Sequence, residues 1–309
     1  MIYYLAPVQG HTDAAYRHFH ASIYSGADGV VYTTPFIRLE KGEIRKKDLR
    51  DAFSDLNAPQ VVVPQVIFRD GQELSALVQK LKEENPALPR IDINMGCPFP
   101  LQTSRGRGAA TLADAACREA VRSVVEGNPD VNFSVKMRLG YRDEEWQEAL
   151  EMLNSLQLDH IAVHPRTAAD QYTGALHMEA FDVIYENSKN PVVYNGDILT
   201  PADAAAIVEK YPRLHGLMIG RGVLGRPSLI TEIREGTEWD AERRIKMMLE
   251  FHRVLLAHYR DTLIGGDHQV LSKISPFWEY AESEIGRKAW KAIRKATTMA
   301  KYQTALALI

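Results

Sequence analysis

Eight short runs of β-branched and apolar residues recur along the chain, and a stretch with helical periodicity follows each of them. The runs are Ile2–Ala6, Gly29–Thr33, Val61–Val66, Arg90–Asn94, Phe133–Arg138, His160–His164, Pro191–Asn195 and Gly216–Ile219. Strands that alternate with helices at this spacing predict βα units and a parallel sheet. Eight such units favour an α/β fold of the TIM-barrel type over an open doubly wound sheet. No Gly-x-Gly-x-x-Gly follows the first run, which argues against a dinucleotide-binding Rossmann domain.

The strand pattern stops near residue 237, and two long segments with helical periodicity follow. They read "WDAERRIKMMLEFHRVLLAHYRDTL" and "SEIGRKAWKAIRKATTMAKYQTALALI", with "LIGGDH" as a turn between them. We therefore predict a barrel domain over residues 1–237 and a small all-helical domain over residues 238–309.

Bulk properties narrow the class of protein. The formal net charge of −3 predicts no overall basic surface, so any surface for nucleic acid must be local. The two cysteines, Cys97 and Cys117, are too few for a disulfide framework, and their spacing matches no zinc motif, so no metal site is expected. The N-terminus lacks the features of a secretory signal, and no apolar run approaches the ~18 residues that span a bilayer. We expect a monomer in the cytoplasm, without a membrane partner.

Polar side chains stand at the C-terminal end of almost every predicted strand, where the catalytic groups of a TIM barrel gather. They include Gln65, Asn94, Cys97, Lys136, Arg138, His164 and Arg166. Taken singly, a lysine on a strand is usually solvated, and a histidine at a strand end is usually part of the scaffold. Lys136 and Arg138, however, face the same side of their strand, and an inward lysine is costly to bury without a partner. Because all these polar residues lie on one rim, together they predict an active site at the mouth of the barrel.

Glycine-containing turns follow the last two predicted strands, "NGD" at residues 195–197 and "IGRG" at residues 219–222. TIM barrels often hold a phosphate at this place on backbone N–H groups. The predicted phosphate site consists of Asn195, Gly196, Asp197, Gly220 and Arg221. Together with a lysine on the fifth strand, this site fits flavin mononucleotide (FMN), whose reduced ring Lys136 would stabilise at N1 and O2.

Taken in order, these motifs resemble those of the tRNA-dihydrouridine synthase family. "LAPVQGHTD" at residues 5–13 is similar to the opening motif of the family, and "NMGCP" at 94–98 with "GRGAATL" at 106–112 is similar to the signature around its catalytic cysteine. "VKMRLG" at 135–140, "VHPRT" and "QYTG" within 163–174, "VVYNGDI" at 192–198 and "GLMIGRG" at 216–222 match in the same order. The resemblance covers the barrel from end to end, and the C-terminal segment has the length of the family's helical tRNA-binding domain.

The resemblance implies that NADPH reduces FMN, which then passes a hydride from N5 to C6 of a uracil in tRNA. Cys97 would protonate C5, and an ordinary thiol pKa of about 8.5 keeps such a donor neutral at physiological pH. The uridine must be flipped out of the tRNA stack to reach the barrel mouth.

The resemblance also assigns roles at the matching motif positions. Around the isoalloxazine ring it implies Lys136, His164, Gln65 at the pyrimidine edge, and Ala6, Pro7 and Val8 as backbone neighbours. Near the target uracil it implies Asn94, Arg138, Arg166 and Tyr172.

The sequence departs from the family after the Gly-Cys-Pro motif, where many relatives carry lysines and this chain has "FPLQTSRGRG". Arg105 and Arg107 are the residues expected to supply positive charge there. Subgroups of the family modify different uridines, and the chain length and the tyrosine of "QYTG" lean towards the subgroup that modifies position 16.

The C-terminal segment carries a local basic surface despite the negative net charge. Helical spacing predicts a single basic stripe formed by Arg287, Lys288, Lys291, Arg294 and Lys295. We predict that this basic stripe, including Lys291 and Arg294, contacts the phosphate backbone of tRNA while Trp290 faces the core. A merely solubilising surface is the alternative. The basic segment 38–50 is either a second contact or a solvated loop of mixed charge.

Three other functions stay open at this point. Another FMN-dependent barrel could reduce a small pyrimidine or an enone, although such a substrate needs neither the C-terminal helices nor the basic stripe. A flavin-free barrel could use Lys136 as a Schiff-base lysine, with a sugar phosphate held after the last two strands. A catalytically silent RNA-binding module would need none of Cys97, Lys136 and His164.

Overall fold

The computed structural model describes residues 1–25 and 29–309. Its strands are β1 (Ile2–Leu5), β2 (Val30–Thr33), β3 (Leu39–Glu40), β4 (Glu43–Ile44), β5 (Val61–Val63), β6 (Gln65–Val66), β7 (Arg90–Met95), β8 (Asn132–Met137), β9 (Ile161–Val163), β10 (Val192–Tyr194) and β11 (Gly216–Ile219). The main sheet is parallel and has the order β5-β2-β1-β11-β10-β9-β8-β7-β6, while β3 and β4 form a separate antiparallel hairpin.

The third predicted strand closes the sheet into a barrel. Its two halves, β5 and β6, stand at opposite ends of the strand order, since β5 pairs with β2 and β6 pairs with β7. Pro64 lies between them and has no N–H to donate to a neighbouring strand, which accounts for the interruption. Every one of the eight predicted runs overlaps a strand of this barrel, so the predicted TIM-barrel fold is confirmed.

Helices surround the barrel and follow its strands. They are α1 (Ala14–His20), α2 (Lys46–Ala52), α3 (Gly71–Glu84), α4 (Pro100–Thr103), α5 (Ala115–Glu126), α6 (Gln147–Leu153), α7 (Met178–Asn187), α8 (Pro201–Lys210), α9 (Arg221–Gly225) and α10 (Leu229–Glu235). Local sequence explains where several begin: the Asp70 side chain caps α3, and Thr200 forms a capping box with Asp203 at the start of α8.

Two sets of buried side chains hold these layers together. The larger core lies between the strands and the helices, while a smaller cluster consists of Tyr4, Ala6, Val31, Val63, Ala162, Val193 and Met218. Because side chains alternate along a strand, the residues of each strand divide between these two faces. The C-terminal ends of the strands and the loops that follow them form the mouth of the barrel, where the predicted site residues lie.

Four helices complete the chain: α11 (Ala241–Thr262), α12 (Gly266–Ile274), α13 (Glu282–Lys295) and α14 (Met299–Leu306). Of these, α11 packs against α1 of the barrel, where Phe251 meets the edge of Tyr16 with ring centroids 4.9 Å apart. Tyr259 Oη donates to the carboxylate of Asp13 at 3.0 Å, and Lys273 Nζ lies 2.6 Å from the same carboxylate. The helical C-terminal segment is thus confirmed. Since the core runs across residue 238, the division into two domains stays a prediction.

Within the described ranges, none of the helices combines the length and the apolar character needed to cross a bilayer.

Candidate active site

The loop after β7 carries Cys97 at the barrel mouth. Oδ1 of Asn94 accepts hydrogen bonds from the backbone N–H groups of Gly96 at 3.1 Å and Cys97 at 2.9 Å. Gly96 must stay small, because a Cβ there would lie 2.8 Å from the carbonyl carbon of Met137 on β8. These contacts fix the backbone of the loop, in which Cys97 is partly buried.

A buried polar network supports this loop from inside the barrel. Nδ2 of Asn94 donates to Oε1 of Gln65 at 2.7 Å, and Nε2 of Gln65 donates to Oδ2 of Asp92 at 2.7 Å. The hydroxyl of Ser134 donates to the other oxygen of Asp92 at 2.5 Å. Sequence reasoning found Gln65 and Asn94 but missed Asp92 and Ser134. The available signal was the alternation of polar with apolar residues in "IDIN", which points Asp92 to the same side as Asn94.

Four cationic side chains gather at the mouth: Lys136, Arg138, Arg166 and Arg221. One carboxylate, that of Asp197, pairs with two of them. Arg166 donates to both of its oxygens at 3.0 and 2.5 Å, and Arg221 donates to Oδ1 at 2.5 Å. Arg138 instead donates from Nη1 to the carbonyl of Thr167 at 2.7 Å. Asp92 acts on Lys136 and Asp170 acts on Arg166, so these four cations outnumber the three carboxylates near them by one.

Burial among these cations shifts the acid–base behaviour of two neighbours. It lowers the pKa of Lys136 to about 8, and the charge of Arg138 acts in the same direction. Burial also lowers the pKa of His164 far below its usual value, and the charges of Arg138 and Lys136 add to this effect. His164 is therefore neutral at pH 7. Its Nε2 lies 3.2 Å from Nη1 of Arg166, which can only donate, so Nε2 is the unprotonated nitrogen.

The two thiols of the chain differ in their surroundings. Burial raises the pKa of the Cys97 thiol, although the charges of Lys136 and Arg138 oppose the shift. Cys117 lies on α5 and donates its S–H to the carbonyl of Arg69 at 3.2 Å. Burial raises its pKa to about 11, with Asp114 acting in the same direction. Only Cys97 combines partial exposure with cationic neighbours, so it is the candidate for chemistry.

The exposed ring of Tyr172 lies close to two guanidinium groups. Arg138 lies 5.0 Å and Arg221 4.8 Å from the ring centroid, and the His164 ring centroid is 6.3 Å away. About half of the Tyr172 surface, 48 %, is accessible. A planar side chain held in this way offers a stacking surface at the mouth.

The ends of β1, β10 and β11 form the remaining wall. A Cβ at Gly220 would lie 3.3 Å from Cβ of Ala6 and 3.9 Å from Cγ2 of Val8, so these backbones stand close together, with Pro7 between the latter two. Asn195 donates from Nδ2 to the carbonyl of Met218 at 2.7 Å. Gly196 is confined too, because a Cβ there would lie 2.8 Å from the hydroxyl of Tyr194.

Two basic groups of the sequence analysis lie elsewhere. Lys291 and Arg294 are exposed on α13, where Arg294 packs 4.6 Å from the ring centroid of a half-buried Trp290. The expectation that Arg107 adds positive charge to the cysteine loop is wrong, because its guanidinium is buried and paired with Glu73. Arg105 is exposed.

The chain is similar to proteins of one known family. Residues 4–307 match the family model described as "Dihydrouridine synthase (Dus)". The tRNA-dihydrouridine synthase B of Pseudomonas putida is 30% identical over 256 residues, which cover 82% of this chain and 74% of the relative. The enzyme of the same name from Escherichia coli is 27% identical over 259 residues, covering 83% and 78%. A probable tRNA-dihydrouridine synthase of Helicobacter pylori is 27% identical over 299 residues, covering 93% and 85%. The match over nearly the whole chain shows that this protein belongs to the dihydrouridine synthase family.

Proposed function

We propose that this protein reduces the C5–C6 bond of a uridine in the D-loop of tRNA, with FMN as the hydride carrier and NADPH as the reductant. The observation that carries the proposal is the Cys97 thiol, which lies at the barrel mouth beside cationic groups and has a raised pKa. Membership of the family supports the same reaction type, since the relatives named above are tRNA-dihydrouridine synthases.

The donor set at the mouth fits an anionic ligand such as FMN. Arg166 and Arg221 share one carboxylate, Asp197, and Nη2 of the buried Arg138 has no hydrogen-bond partner among the described residues. Positive charge that is buried without a matching anion is costly. A ligand with a phosphate and a ring that becomes anionic on reduction would relieve that cost.

Each part of the mouth would meet a different part of FMN. Residues 195–197, with Gly220 and Arg221, would hold the phosphate, while Lys136 and His164 would face the ring. When bound, the flavin supplies the hydride for C6 of the uracil. The positive charge of Lys136 would stabilise negative charge on the reduced ring. The negative ring would in turn raise the pKa of Lys136 above its value of about 8 in the flavin-free protein.

Cys97 holds the proton that balances the hydride. Its raised pKa keeps the S–H bond intact at neutral pH, as a general acid requires. The thiol would give its proton to C5 of the uracil as a hydride is added at C6, so that two new C–H bonds would replace the π bond. The charges of Lys136 and Arg138 lower the pKa of this thiol and therefore stabilise the thiolate that remains. A proton from solvent restores it.

Tyr172 provides the place for a uridine that has left the RNA stack. Its exposed ring offers a flat surface, and stacking on an aromatic side chain offsets part of the few kcal/mol that base flipping costs. Arg138 and Arg166 can only donate hydrogen bonds, which suits the two carbonyl oxygens of uracil.

The experiment that tests the proposal starts from tRNA of a strain that lacks its own dihydrouridine synthases. The purified chain should be yellow because of bound flavin, and with NADPH it should form dihydrouridine in that tRNA. Mapping the modified position tests the prediction of position 16. A yellow protein that reduces free pyrimidines or enones but leaves tRNA unchanged would favour the small-molecule reductase. A colourless protein whose Lys136 is trapped by borohydride with a sugar phosphate would favour the flavin-free barrel.

A further inference from the structure

A continuous path of hydrogen bonds connects a buried carboxylate to the backbone of the cysteine loop. It runs from Oδ2 of Asp92 to Gln65 at 2.7 Å, from Gln65 to Asn94 at 2.7 Å, and from Asn94 to the N–H of Cys97 at 2.9 Å. Asp92, Gln65 and Asn94 are almost fully buried, with accessible fractions of 1 %, 0 % and 6 %, respectively. Water therefore has little access to substitute for any link in the path.

The chemistry of the two ends determines the orientation of both amides between them. A carboxylate accepts, so Gln65 must turn Nε2 towards Asp92 and present Oε1 on its other side. Asn94 must then turn Nδ2 towards Gln65, which leaves Oδ1 facing the loop. There the backbone N–H groups of Gly96 and Cys97 can only donate, and both are met by Oδ1. The polarity of the path is thus consistent from one end to the other.

The carboxyl group of Asp92 accepts a hydrogen bond at each of its two oxygens. Burial raises the pKa of its carboxyl group, while the hydrogen bonds from Ser134 and Gln65 oppose that shift. Each oxygen receives one of these two donors, at 2.5 and 2.7 Å. The bond from Ser134 ends at Asp92 and does not lie on the path to Cys97, so Ser134 offers a matched control.

We propose that Asp92 is a positioning residue for Cys97: as a buried acceptor it orients the amides of Gln65 and Asn94, and through them the loop that carries the thiol. Asp92 does not touch the reacting atoms. Its effect on uridine reduction rests on the proposed function, whereas its effect on the thiol does not.

Three variants of the full chain distinguish the role of Asp92 as a hydrogen-bond acceptor from the role of its negative charge. Asp92→Leu has similar size but accepts no hydrogen bond. Asp92→Asn keeps an acceptor, because its Oδ1 can receive Gln65 while its Nδ2 donates to the hydroxyl of Ser134. Ser134→Ala removes only the bond that lies off the path. The primary measurement is the rate at which iodoacetamide alkylates Cys97, resolved from Cys117 by peptide mass spectrometry.

The proposal predicts that Asp92→Leu raises the alkylation rate of Cys97 by about fivefold or more. Loss of one buried hydrogen bond increases the population of the displaced cysteine loop by about that factor. Asp92→Asn and Ser134→Ala should stay within about twofold of the parent protein. Parental alkylation in Asp92→Leu overturns the proposal, and an equal change in the Leu and Asn variants overturns it in favour of a role for the charge. Should Asp92→Leu not fold, Gln65→Met interrupts the same path and carries the same expectation. If the protein forms no dihydrouridine at all, the proposed function fails, but the alkylation rates still decide the role of Asp92.

Discussion

Gly108 lies directly against Cys97 at the barrel mouth. A Cβ at position 108 would lie 2.8 Å from Cβ of Cys97 and 2.6 Å from its carbonyl oxygen, and the φ angle of Gly108 is +62°. The N–H of Ala109 donates to that same carbonyl at 3.1 Å. The segment "GRGAATL" therefore holds the cysteine loop from outside, while Asn94 holds it from within.

Gly108→Ala should move the cysteine loop and slow uridine reduction by roughly 10²-fold, as displacements of about 1 Å at a reacting group do. The control is Gly106→Ala, because Gly106 also has a positive φ of +71° but no atom within 4 Å of an added Cβ. Both variants carry backbone strain, and only the first meets Cys97. Single-turnover formation of dihydrouridine, measured beside thermal unfolding, separates the two effects. Equal activity of the two variants would contradict the packing argument.

Cys97→Ala should keep flavin binding and NADPH oxidation but lose dihydrouridine formation by roughly 10²- to 10⁴-fold, the usual contribution of a general acid. Cys117→Ala serves as the control, since Cys117 is buried on α5 and bonded to a backbone carbonyl. We expect its activity to match that of the parent. Full uridine reduction by Cys97→Ala would eliminate the proton-donor role.

The pH dependence of the reaction should carry the signature of the same thiol. Because burial raises the pKa of Cys97, its protonated form persists through neutral pH. The single-turnover rate should therefore hold at neutral pH and fall as the pH rises through the thiol pKa. Serine does not titrate in this range, so Cys97→Ser should be slow at every pH and lack the alkaline decline. An unchanged decline in the serine variant would assign it to another group.

Lys136→Met should stabilise the flavin-free protein while weakening its affinity for FMN. The folded-state pKa of Lys136 is lowered to about 8, so between pH 8 and the unfolded-state value near ~10.4 the unfolded chain binds more protons, and stability rises with pH. At pH 7 the full cost is present, up to roughly 3 kcal/mol. The free energy of unfolding, measured with denaturant, should thus be higher for Lys136→Met than for the parent at pH 7, and the difference should be smaller at pH 10. Lys189→Met, at an exposed position, should change neither stability nor flavin binding.

Sequence periodicity was sufficient to locate the barrel strands, because each buried strand has to show its apolar pattern in the chain. Two-residue alternation likewise predicted a shared side for Lys136, on β8, and Arg138, directly after it, and in the structure both act on the pKa of His164. Periodicity could not identify the hydrogen-bond partners of Asp92, because these partners lie on β6 and β8 and are set by the register between strands. Arg107 was misjudged for the same reason: its partner Glu73 lies on α3, 34 residues earlier in the chain.

The basic stripe of α13 and the basic segment 38–50 differ in how far nearby carboxylates neutralise their charge. In the segment 38–50, Arg38 pairs with Glu40 and Arg45 pairs with Asp48, so part of its charge is neutralised. On α13 the five basic residues are all exposed, and the helix is interrupted at Gly286, whose φ is +78°. Glu284, which lies nearby in the sequence, is paired with Arg244 on α11. Arg287 lies 3.9 Å from the carboxylate of Glu282, so the uncompensated charge of the stripe is that of its other four members, Lys288, Lys291, Arg294 and Lys295, which have no ion pair among the described residues.

Charge reversal of Lys291 and Arg294 to glutamate should weaken tRNA binding and flatten its salt dependence. Loss of two phosphate contacts would reduce the slope of log K against log salt by about 1.5, while flavin content stays unchanged. The control reverses Lys189, which precedes β10, and Lys210, the last residue of α8, both exposed at the end of the barrel opposite the mouth. Because Lys210 pairs with Asp182, thermal unfolding of this control is measured as well. Filter binding at several salt concentrations gives both slopes. If the two double variants lose affinity equally, the α13 stripe is an ordinary charged surface. If only the α13 variant loses affinity, the stripe is a contact for the RNA backbone.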